Sequence, residues 1–296
     1  MHCNPSRKLK LALMSVALGS ATILAACGGG NLDARVASVS AITADSAPAY
    51  DRVATFNVAG TNLDIGLTTS ALGCSRPELL SGGTATAMKV SCIPDRDGDI
   101  SVSLHVGTGE VLKTASFAVP KPQVKMETSL GGLLIELEPA KAPITVKNFL
   151  EYAQDGFFEN TVFHRVYSAF LAEGGAFTFL GTNYVAKAPT RPPIALERTT
   201  ITGLSNISRT IGMARTNVPD SATAQFYINF ADNVFLDAQR STDGNGYAVF
   251  GTVVSTADTN SEATLAAVKA VQVMNNGSEM SLPLNPPTIS AITRVR

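Results

Sequence analysis

The feature that most restricts the fold is a two-residue alternation of apolar and polar side chains. Over residues 100–106, Ile, Val or Leu occupies every even position and Ser or His every odd one. Because successive side chains of a strand point to opposite faces, this period predicts a half-buried strand whose even positions, Val106 included, face inward. Similar short runs, separated by Gly, Pro, Asp and Ser clusters, predict strands at residues 36–42, 55–59, 87–92 and 112–119. We therefore expect a small β-sandwich over residues 35–120.

Composition excludes several other classes of protein. The chain is 45% hydrophobic and 16% charged, and the charged share is well below the roughly 25% of an average globular domain. Intrinsic disorder and coiled coils are therefore excluded. With 23 Lys+Arg against 24 Asp+Glu, the chain also lacks the basic footprint that nucleic-acid binding needs, so we expect no nucleic-acid partner.

The beginning of the chain is typical of a secretion signal. Basic residues precede an uncharged apolar run over residues 11–24, which is too short to span about 30 Å of hydrocarbon as a helix. The run ends in Leu-Ala-Ala-Cys at residues 24–27, which resembles the bacterial lipobox, where the Cys is diacylated and becomes N-terminal after cleavage. The alternative is an ordinary signal peptide whose cleavage site happens to precede a Cys. We expect a lipoprotein signal peptide over residues 1–26 and a lipid on Cys27.

The residues after Cys27 bear on where the protein resides. Gly-Gly-Gly-Asn at residues 28–31 predicts a flexible tether, which we place at residues 27–34. By resemblance to such lipoproteins, Gly28 rather than Asp after the Cys favours sorting to an outer membrane, with the protein facing the periplasm. Since cleavage removes basic residues and no acidic ones, the acyl chains are the only membrane anchor that we expect.

Two of the cysteines are left to pair in an oxidising compartment. Cys3 leaves with the signal and Cys27 takes the lipid, so Cys74 and Cys92 remain. We expect a disulfide between them that stabilises the β-sandwich by roughly 3 kcal/mol. A pair of metal ligands is the alternative, but neither a CxxC motif nor a nearby His pair accompanies these residues.

A second domain, residues 122–296, follows the stiff Pro-Lys-Pro junction at residues 120–122. Apolar runs on either side of Gly131 and Gly132 predict a hairpin with those two glycines as its turn. Helical spacing predicts one helix from Pro143 to Asp155-Gly156 and another over residues 262–271. Strand-like runs occupy residues 161–166, 210–214, 225–230 and 248–253.

The second domain lacks most catalytic motifs, which narrows its chemistry. After signal removal only His105 and His164 remain, which excludes a His-rich metal site, and no Gly-rich phosphate loop follows a strand. Arg165 is the notable exception, because it lies in an alternating apolar strand with Phe170 and Leu171 shortly after it. This pattern predicts a shallow hydrophobic pocket with one fixed hydrogen-bond donor.

Longer stretches of the second domain resemble the cyclophilins, most closely the bacterial periplasmic ones. They follow the family's order with nearly its spacing, at residues 148–150, 156–158, 160–166, 170, 174–178, 212–215, 221–223, 225–229, 235–237 and 247–251. The resemblance implies a mainly β fold, a closed eight-stranded antiparallel barrel capped by two helices. It also implies peptidyl-prolyl cis/trans isomerase activity that uses no cofactor and no metal.

The chemistry of that reaction fits an arginine. Twisting an X-Pro amide destroys its resonance and costs about 18–20 kcal/mol. In the twisted state the prolyl nitrogen accepts a hydrogen bond, so a guanidinium beside it favours the transition state over the planar ground state. The resemblance assigns this catalytic role to Arg165, whose permanent charge and rigid donor fork suit it.

The resemblance also implies a set of substrate-binding residues. Some surround the proline ring, Ala214 and Gln225 hold the peptide backbone, and Arg215 and Tyr247 line the rim; taken singly, each apolar member has ordinary barrel core as its alternative. The full set is Phe170, Leu171, Glu173, Ala214, Arg215, Gln225, Tyr227, Phe235, Leu236 and Tyr247. His164 is assigned to the scaffold, because it alternates away from Arg165.

Two departures from the family pattern alter the expected activity. Glu173 stands where most cyclophilins have a Gln, so its carboxylate can pair with Arg165 and lower the activity or make it pH-dependent. Phe235 stands where eukaryotic members carry the Trp that binds cyclosporin, so we expect weak cyclosporin binding.

Two functions are consistent with the sequence. The first is an isomerase that accelerates X-Pro isomerisation in exported proteins, with proline-containing segments as its partners. The alternative is a low-turnover lipoprotein that binds proline peptides or a surface partner, with the β-sandwich as the main contact. The β-sandwich resembles immunoglobulin-like modules of bacterial surface proteins in pattern.

Overall fold

The computed structural model describes residues 35–274 and 281–296. The predicted signal peptide, the lipid on Cys27 and the tether lie outside these residues. The domain boundary at residues 120–122 stays a prediction.

Residues 35–120 form two antiparallel sheets, one of four strands in the order β1-β2-β5-β4 and one of three in the order β3-β6-β7. Phe56 of the first sheet and Phe117 of the second contact each other with 4.6 Å between ring centroids. The predicted β-sandwich is therefore confirmed. Its strands are β1 (Ser38–Ala44), β2 (Ala54–Thr61), β3 (Leu67–Leu72), β4 (Cys74–Leu79), β5 (Ala87–Pro94), β6 (Gly98–Val106) and β7 (Val111–Val119).

Strand β6 follows the predicted alternation except at its end. Ile100, Val102 and Leu104 are at most 1% exposed, whereas Val106 is 43% exposed. The inward position predicted for Val106 is wrong, because the chain already turns there: its N–H donates to the Glu110 carbonyl at 3.1 Å. Strands β3 and β4 were not predicted, since both lie at sheet edges and β4 is mostly exposed.

The predicted disulfide is confirmed. Cys74 and Cys92 are joined with their Cα atoms 5.7 Å apart. Both are buried, and they lie on the neighbouring strands β4 and β5. The bridge therefore secures an edge strand of the four-stranded sheet.

The second half of the chain forms a nearly closed barrel of eight antiparallel strands, as predicted, in the order β10-β11-β14-β13-β15-β9-β8-β18. The barrel nearly closes where strand β10 meets the segment just before β18: the Phe163 N–H donates to the Pro287 carbonyl at 2.9 Å. Strand β12 pairs with β11 outside this path, and β16 pairs with β17. The strands are β8 (Gln123–Thr128), β9 (Gly131–Leu137), β10 (Thr161–Val166), β11 (Leu171–Leu180), β12 (Asn183–Ala186), β13 (Thr210–Met213), β14 (Phe226–Asn229), β15 (Val249–Val254), β16 (Val273–Met274), β17 (Leu282–Pro283) and β18 (Ile289–Arg294).

Both predicted helices are present, as α1 (Pro143–Gln154) and α3 (Ser261–Lys269). The Glu197 carboxylate accepts hydrogen bonds from the first backbone N–H groups of α1, at 2.8 Å and 3.0 Å, and so caps the helix from a distant loop. The short α2 (Thr199–Thr202) and a 3₁₀ turn (Val234–Leu236) were not predicted. Among the described residues, no helix is both long and apolar enough to cross a membrane.

The turn of the β8–β9 hairpin differs from the prediction. Thr128 pairs with Gly131, so Ser129 and Leu130 form the turn and both glycines belong to β9. Gly131 is required for two other reasons: its φ is +126°, and a Cβ there would lie 2.5 Å from Oγ1 of Thr264. Gly131 therefore marks a close approach to α3 rather than the turn itself.

A cluster of aromatic side chains fills the inside of the barrel. Phe149 of α1, with Phe158, Phe163, Phe226 and Phe250, is at most 1% exposed, and the Phe163 and Phe226 rings meet edge to face with centroids 5.9 Å apart. These rings fix the inner faces of β10 and β14. The residues that face outward on the same strands are therefore held in position by the core.

Candidate active site

Arg165 faces outward because strand β10 contains a bulge. Phe163 pairs with Gly174 and Arg165 with Glu173, so two steps on β10 match one step on β11. Phe163 lies in the core, fully buried, and regular alternation would turn Arg165 inward beside it. The extra residue directs Arg165 to the outer face, opposite Glu173.

The bulge also corrects the position inferred for His164. His164 is buried, as expected of a scaffold residue, but it does not point away from Arg165. Its Nε2 lies 3.7 Å from the Glu173 Oε2 and 3.4 Å from the Gln225 Nε2. His164 and Arg165 thus contact the same carboxylate.

Glu173 is the centre of the polar part of the site. Arg165 Nη1 lies 3.3 Å from each carboxylate oxygen, and Gln225 Nε2 donates to Oε2 at 2.9 Å. Burial would raise the pKa of the Glu173 carboxyl, but the adjacent His164 imidazole and the Arg165 charge outweigh burial and hold that pKa below its ordinary value. Glu173 is therefore an anion at neutral pH, and the expected pairing with Arg165 is present.

A groove with a volume of about 560 Å³ opens beside Arg165, Glu173 and Gln225, and these three residues form part of its lining. The rest of the lining, which we call the side groove, includes His164, Phe177, Tyr184, Met274 and Leu282. None of these five was predicted to be a binding residue. Phe177 and Tyr184 belong to the β11–β12 hairpin, whereas Met274 and Leu282 come from the chain before β18, about 90 or more residues later in the sequence.

The residues expected around the proline ring lie along the other end of β11. Phe170 and Phe235 stack with centroids 5.5 Å apart and an interplanar angle of 22°, and Phe235 is 54% exposed. Leu171 and Tyr227 are buried, and Leu236 is half-buried in the 3₁₀ turn. The structure therefore brings Phe170 and Phe235 together at the surface, while the side groove is lined by other residues.

Tyr227 links the row of Arg165 and Glu173 to a buried polar network. It pairs with Glu173 across β11 and β14, and its hydroxyl donates to the Asn206 Oδ1 at 2.6 Å. Burial raises the pKa of this hydroxyl well above its ordinary value, so it remains a neutral donor. Asn206 Nδ2 in turn donates to the Asp237 Oδ1 at 2.9 Å.

The same network holds the segments that carry the stacked rings. Asn229 Nδ2 donates to the Asn206 Oδ1 at 3.3 Å, and Asn233 Nδ2 donates to the Phe170 carbonyl at 2.9 Å. The Asp237 carboxylate follows Phe235 and Leu236 directly. These buried amides have a positioning role that the sequence did not reveal, because nothing in an isolated Asn signals that it is buried.

The residues expected at the rim also form a cluster. The Arg215 guanidinium lies 4.6 Å from the Tyr247 ring centroid, and its Nε donates to the Gly246 carbonyl at 2.8 Å. Arg215 also pairs with Asp243, whose carboxyl pKa lies below its usual range because of backbone N–H donors, first that of Asn245, and Arg215 itself. Ala214 donates its N–H to the Gln225 carbonyl at 2.9 Å, so the backbone there is already paired. Within residues 35–274 and 281–296, no group of three His, Cys, Asp or Glu side chains is placed to hold a metal ion.

Comparison with known proteins places the site in a family context. Residues 123–292 match the family described as cyclophilin type peptidyl-prolyl cis-trans isomerase/CLD. This match covers the barrel and leaves the strands of residues 35–120 outside it.

Curated bacterial relatives match the same region. Peptidyl-prolyl cis-trans isomerase cyp18 of Streptomyces antibioticus is 40% identical over 169 residues, which cover 57% of this chain and 95% of the relative. A peptidyl-prolyl cis-trans isomerase of Acinetobacter baylyi is 41% identical over 181 residues, or 61% of this chain and 89% of the relative. Peptidyl-prolyl cis-trans isomerase B of Escherichia coli is 39% identical over 171 residues, or 57% of this chain and 98% of the relative.

Proposed function

The chain belongs to the family of cyclophilin-type peptidyl-prolyl cis-trans isomerases, and we propose that it accelerates X-Pro isomerisation in exported proteins. The isomerase activity follows from the family and needs no cofactor. The observation that carries the proposal is the outward, bulge-directed position of Arg165 on a rigid strand.

Arg165 can act as the donor that the twisted amide needs. Loss of resonance leaves a lone pair on the prolyl nitrogen, and a donor beside it is bonded more strongly in the twisted state than in the planar one. The Arg165 side chain is 31% exposed, so a bound peptide can reach it. Since strand β10 is fixed by the core, little reorganisation accompanies the reaction.

The stacked rings beside the site supply the other half of the mechanism. Rotation about the X-Pro bond requires that one side of the bond is held still. Phe170 and Phe235 offer an exposed aromatic surface for the proline ring, and the Asn233 bond to the Phe170 carbonyl holds that surface in place. We propose that Leu171, Tyr227 and Leu236 form the floor beneath it, and that Gln225, Ala214, Arg215 and Tyr247 hold the flanking peptide.

One observation favours the alternative of a low-turnover binding protein. The Glu173 carboxylate lies 3.3 Å from the Arg165 guanidinium and competes with the prolyl nitrogen for it. That distance exceeds the roughly 2.7–2.9 Å of a strong charge-assisted hydrogen bond. We infer that substrate displaces the pair and that Glu173 slows turnover without abolishing it.

We further propose that the protein is a lipoprotein of the cell envelope, anchored through Cys27 and facing the periplasm from the outer membrane. The signal-like beginning of the sequence supports this location. The Cys74–Cys92 bridge supports it independently, because disulfides persist in oxidising compartments. The sheet orders β1-β2-β5-β4 and β3-β6-β7 support an immunoglobulin-like module, since they match the ABED and CFG sheets of that fold.

The location is tested by replacing Cys27 with Ser. We expect radiolabelled palmitate to be incorporated into the unaltered protein but not into Cys27→Ser, and only the former to fractionate with the outer membrane. Labelling of both proteins, or of neither, contradicts the proposed anchor.

The action on exported proteins is tested by refolding. An unfolded secreted protein with a proline-limited phase of about 10–100 s should lose that phase in the presence of the isomerase and keep it with Arg165→Ala. An unchanged slow phase with the unaltered protein contradicts the proposal.

Cyclosporin binding should be weak by calorimetry, since Phe235 stands in the tryptophan position, and a dissociation constant in the low nanomolar range would overturn this expectation.

A further inference from the structure

A cleft lies between the β-sandwich and the barrel, and we propose that it binds an extended segment of an unfolded polypeptide, with an acidic and a basic side chain about four residues apart. This interface cleft has a volume of about 660 Å³, within the roughly 300–1,000 Å³ typical of ligand sites. Its lining shares no residue with the side groove or with the residues assigned to isomerisation. The inference therefore adds a second binding site to the isomerase.

Polar contacts between the β-sandwich and the barrel fix the two walls of the interface cleft. Arg35–Arg296 form one compact unit. Nη2 of Arg294, on β18, donates to the Tyr50 carbonyl of the β-sandwich, and the Arg294 Cζ lies 5.9 Å from the centroid of the Tyr50 ring. The Asp97 carboxylate accepts a hydrogen bond from the Ala140 N–H, shortly before α1, at 2.8 Å. Because the walls are already fixed, a guest orders little of the protein when it binds.

Strand β18 offers the interface cleft an unpaired edge. One edge of β18 pairs with β8, whereas on the other the described residues make only an isolated bridge, between Thr288 and Val162. The Val295 N–H, directly after β18, donates to the β8 side at 2.9 Å. Alternation therefore directs the N–H groups of Arg294 and Ile292 to the open edge. An extended peptide can add to this edge by main-chain hydrogen bonds.

The floor of the interface cleft is apolar. It is formed by side chains of α1 and β18, namely Leu150, Ala153, Ala291 and Ile292. Since every second side chain of an extended peptide points to the same face, a guest on the open edge of β18 places alternate side chains on this floor. Burial of apolar guest side chains there favours binding.

The end of the interface cleft next to the β-sandwich is basic. Burial and, after it, the nearby Arg52 charge lower the pKa of the Arg294 guanidinium, so the two cations lie close together. The Arg294 guanidinium donates to the backbone carbonyls of Tyr50 and, at 2.9 Å, Arg296, and Arg52 forms no ion pair within the described part of the chain. Asp51 offsets only one of the two cations. A carboxylate of the guest supplies the partner that this end lacks.

The other end of the interface cleft is acidic. Glu159 lines it, and its carboxylate forms no ion pair with any residue that the structure describes. Glu151 also lines the cleft, but Arg191 neutralises it with an ion pair of 2.8 Å. The Asn160 N–H, next to Glu159, donates to the Ile289 carbonyl at 2.9 Å. The acidic end therefore lies at the beginning of β18.

The distance between the two ends determines the spacing of charges in the guest. Ile289 begins β18 and Arg294 ends it, and five steps along a strand span about 16 Å. In an extended guest, side chains four residues apart lie on the same face and about 13 Å from each other. With the reach of their own side chains, one acidic and one basic residue at this spacing meet the basic and the acidic end together.

The first test measures the binding of proline-free, fluorescein-labelled peptides to the protein by fluorescence anisotropy. The core Glu-Val-Thr-Val-Lys, flanked by Gly and Ser, is compared with the opposite charge order, Lys-Val-Thr-Val-Glu, and with the uncharged core Gln-Val-Thr-Val-Gln. We expect one charge order to bind about tenfold more tightly than the other two peptides, because only that order forms both ion pairs. N-methylation of one set of its residues, the Thr or the two Val, should abolish binding, since one set donates to β18.

Charge-reversal variants then locate the binding site. Arg52→Glu and Glu159→Lys should each weaken binding of the tighter peptide by about tenfold, and the double variant should prefer the opposite charge order. Arg76→Glu and Glu110→Lys are the matched controls, at exposed positions outside the interface cleft, and should bind as the unaltered protein does. The kcat/KM for an Ala-Pro tetrapeptide should stay unchanged in every variant.

The outcomes separate this inference from the isomerase function, because the peptides contain no proline. Equal binding of all three peptides, or binding of none, overturns the inference and leaves the isomerase intact. A charge preference that the double variant keeps unchanged also overturns it, since the preference then arises elsewhere. If no peptide binds and the protein sediments as a dimer that Arg52→Glu dissociates, a second copy occupies the cleft and the inference is wrong.

Discussion

The β-sandwich and the barrel are built from the same alternating strands but bury different side chains. In residues 35–120, Ser91 and Tyr50 are the only side chains with a polar group among those that the structure describes as buried, and the core is otherwise apolar with one disulfide. The barrel buries Asn206, Asn229, Asn233 and Asp237 in one connected network beside Arg165. Buried polar groups lower stability unless they are fully bonded. We therefore infer that these four buried polar residues are present for the function of the site rather than for the stability of the barrel.

The comparison predicts first that the disulfide supports the β-sandwich but not catalysis. Replacing both Cys74 and Cys92 with Ser should lower the free energy of unfolding of residues 35–120 by roughly 3 kcal/mol, because the unfolded chain regains the freedom of the closed loop. Hydrogen exchange resolved by residue measures this loss, and the peptide kcat/KM should stay unchanged. Lost isomerase activity in the folded double variant would show that the two regions are functionally coupled.

The second prediction concerns the buried network of the barrel. Asn206→Ala leaves the Tyr227 hydroxyl and the Asp237 carboxylate short of a partner, which should cost about 1–3 kcal/mol of unfolding free energy. Hydrogen exchange should show the loss in the barrel and not in the β-sandwich. Asn217→Ala, at an exposed position, is the control and should be neutral. Equal effects of the two substitutions would contradict the assigned positioning role.

The third and smallest prediction concerns Glu173. Because its folded pKa lies below the ordinary value of a Glu carboxyl, Glu173 is ionised throughout the neutral range, and its pairing with Arg165 is lost only as the pH falls through that lowered pKa. Glu173→Gln should therefore raise kcat/KM at pH 7 by about fivefold or less, and this gain should shrink only in strong acid. The stability that the Arg165–Glu173 pair contributes to the folded protein is likewise lost as the pH falls.

Glu110→Gln is the matched control for this experiment. Glu110 is exposed in the β-sandwich, so the same loss of charge there should leave the rate unchanged. A fall in kcat/KM with Glu173→Gln would show instead that the carboxylate holds Arg165 in its productive position.

The fold was predictable where local pattern and burial agree. The alternation of residues 100–104 and the helical spacing after Pro143 depend on short stretches of sequence, and the structure confirms both. The polar edge strand β4 has no such pattern, because nothing packs on most of its side chains. The β8–β9 turn was misplaced because Gly131 is required by its contact with Thr264, which the local sequence does not contain.

The candidate site was predictable in its residues and less so in its geometry. The resemblance named Arg165, Glu173 and Gln225, and the structure brings these three together. The bulge in β10 was missed, and with it the side on which His164 lies, because one inserted residue reverses the facing of its neighbours. The side groove depends on Tyr184 and Leu282 meeting across the fold, which no short-range pattern encodes.

The central claim is that Arg165 of the barrel performs the isomerisation, and exchange NMR on a single Ala-Pro peptide tests it most directly. The protein should accelerate exchange between cis and trans, and Arg165→Ala should reduce kcat by on the order of 100-fold, the loss typical of one preorganised donor, with its hydrogen-exchange protection unchanged. Full activity in a folded Arg165→Ala variant would contradict the account.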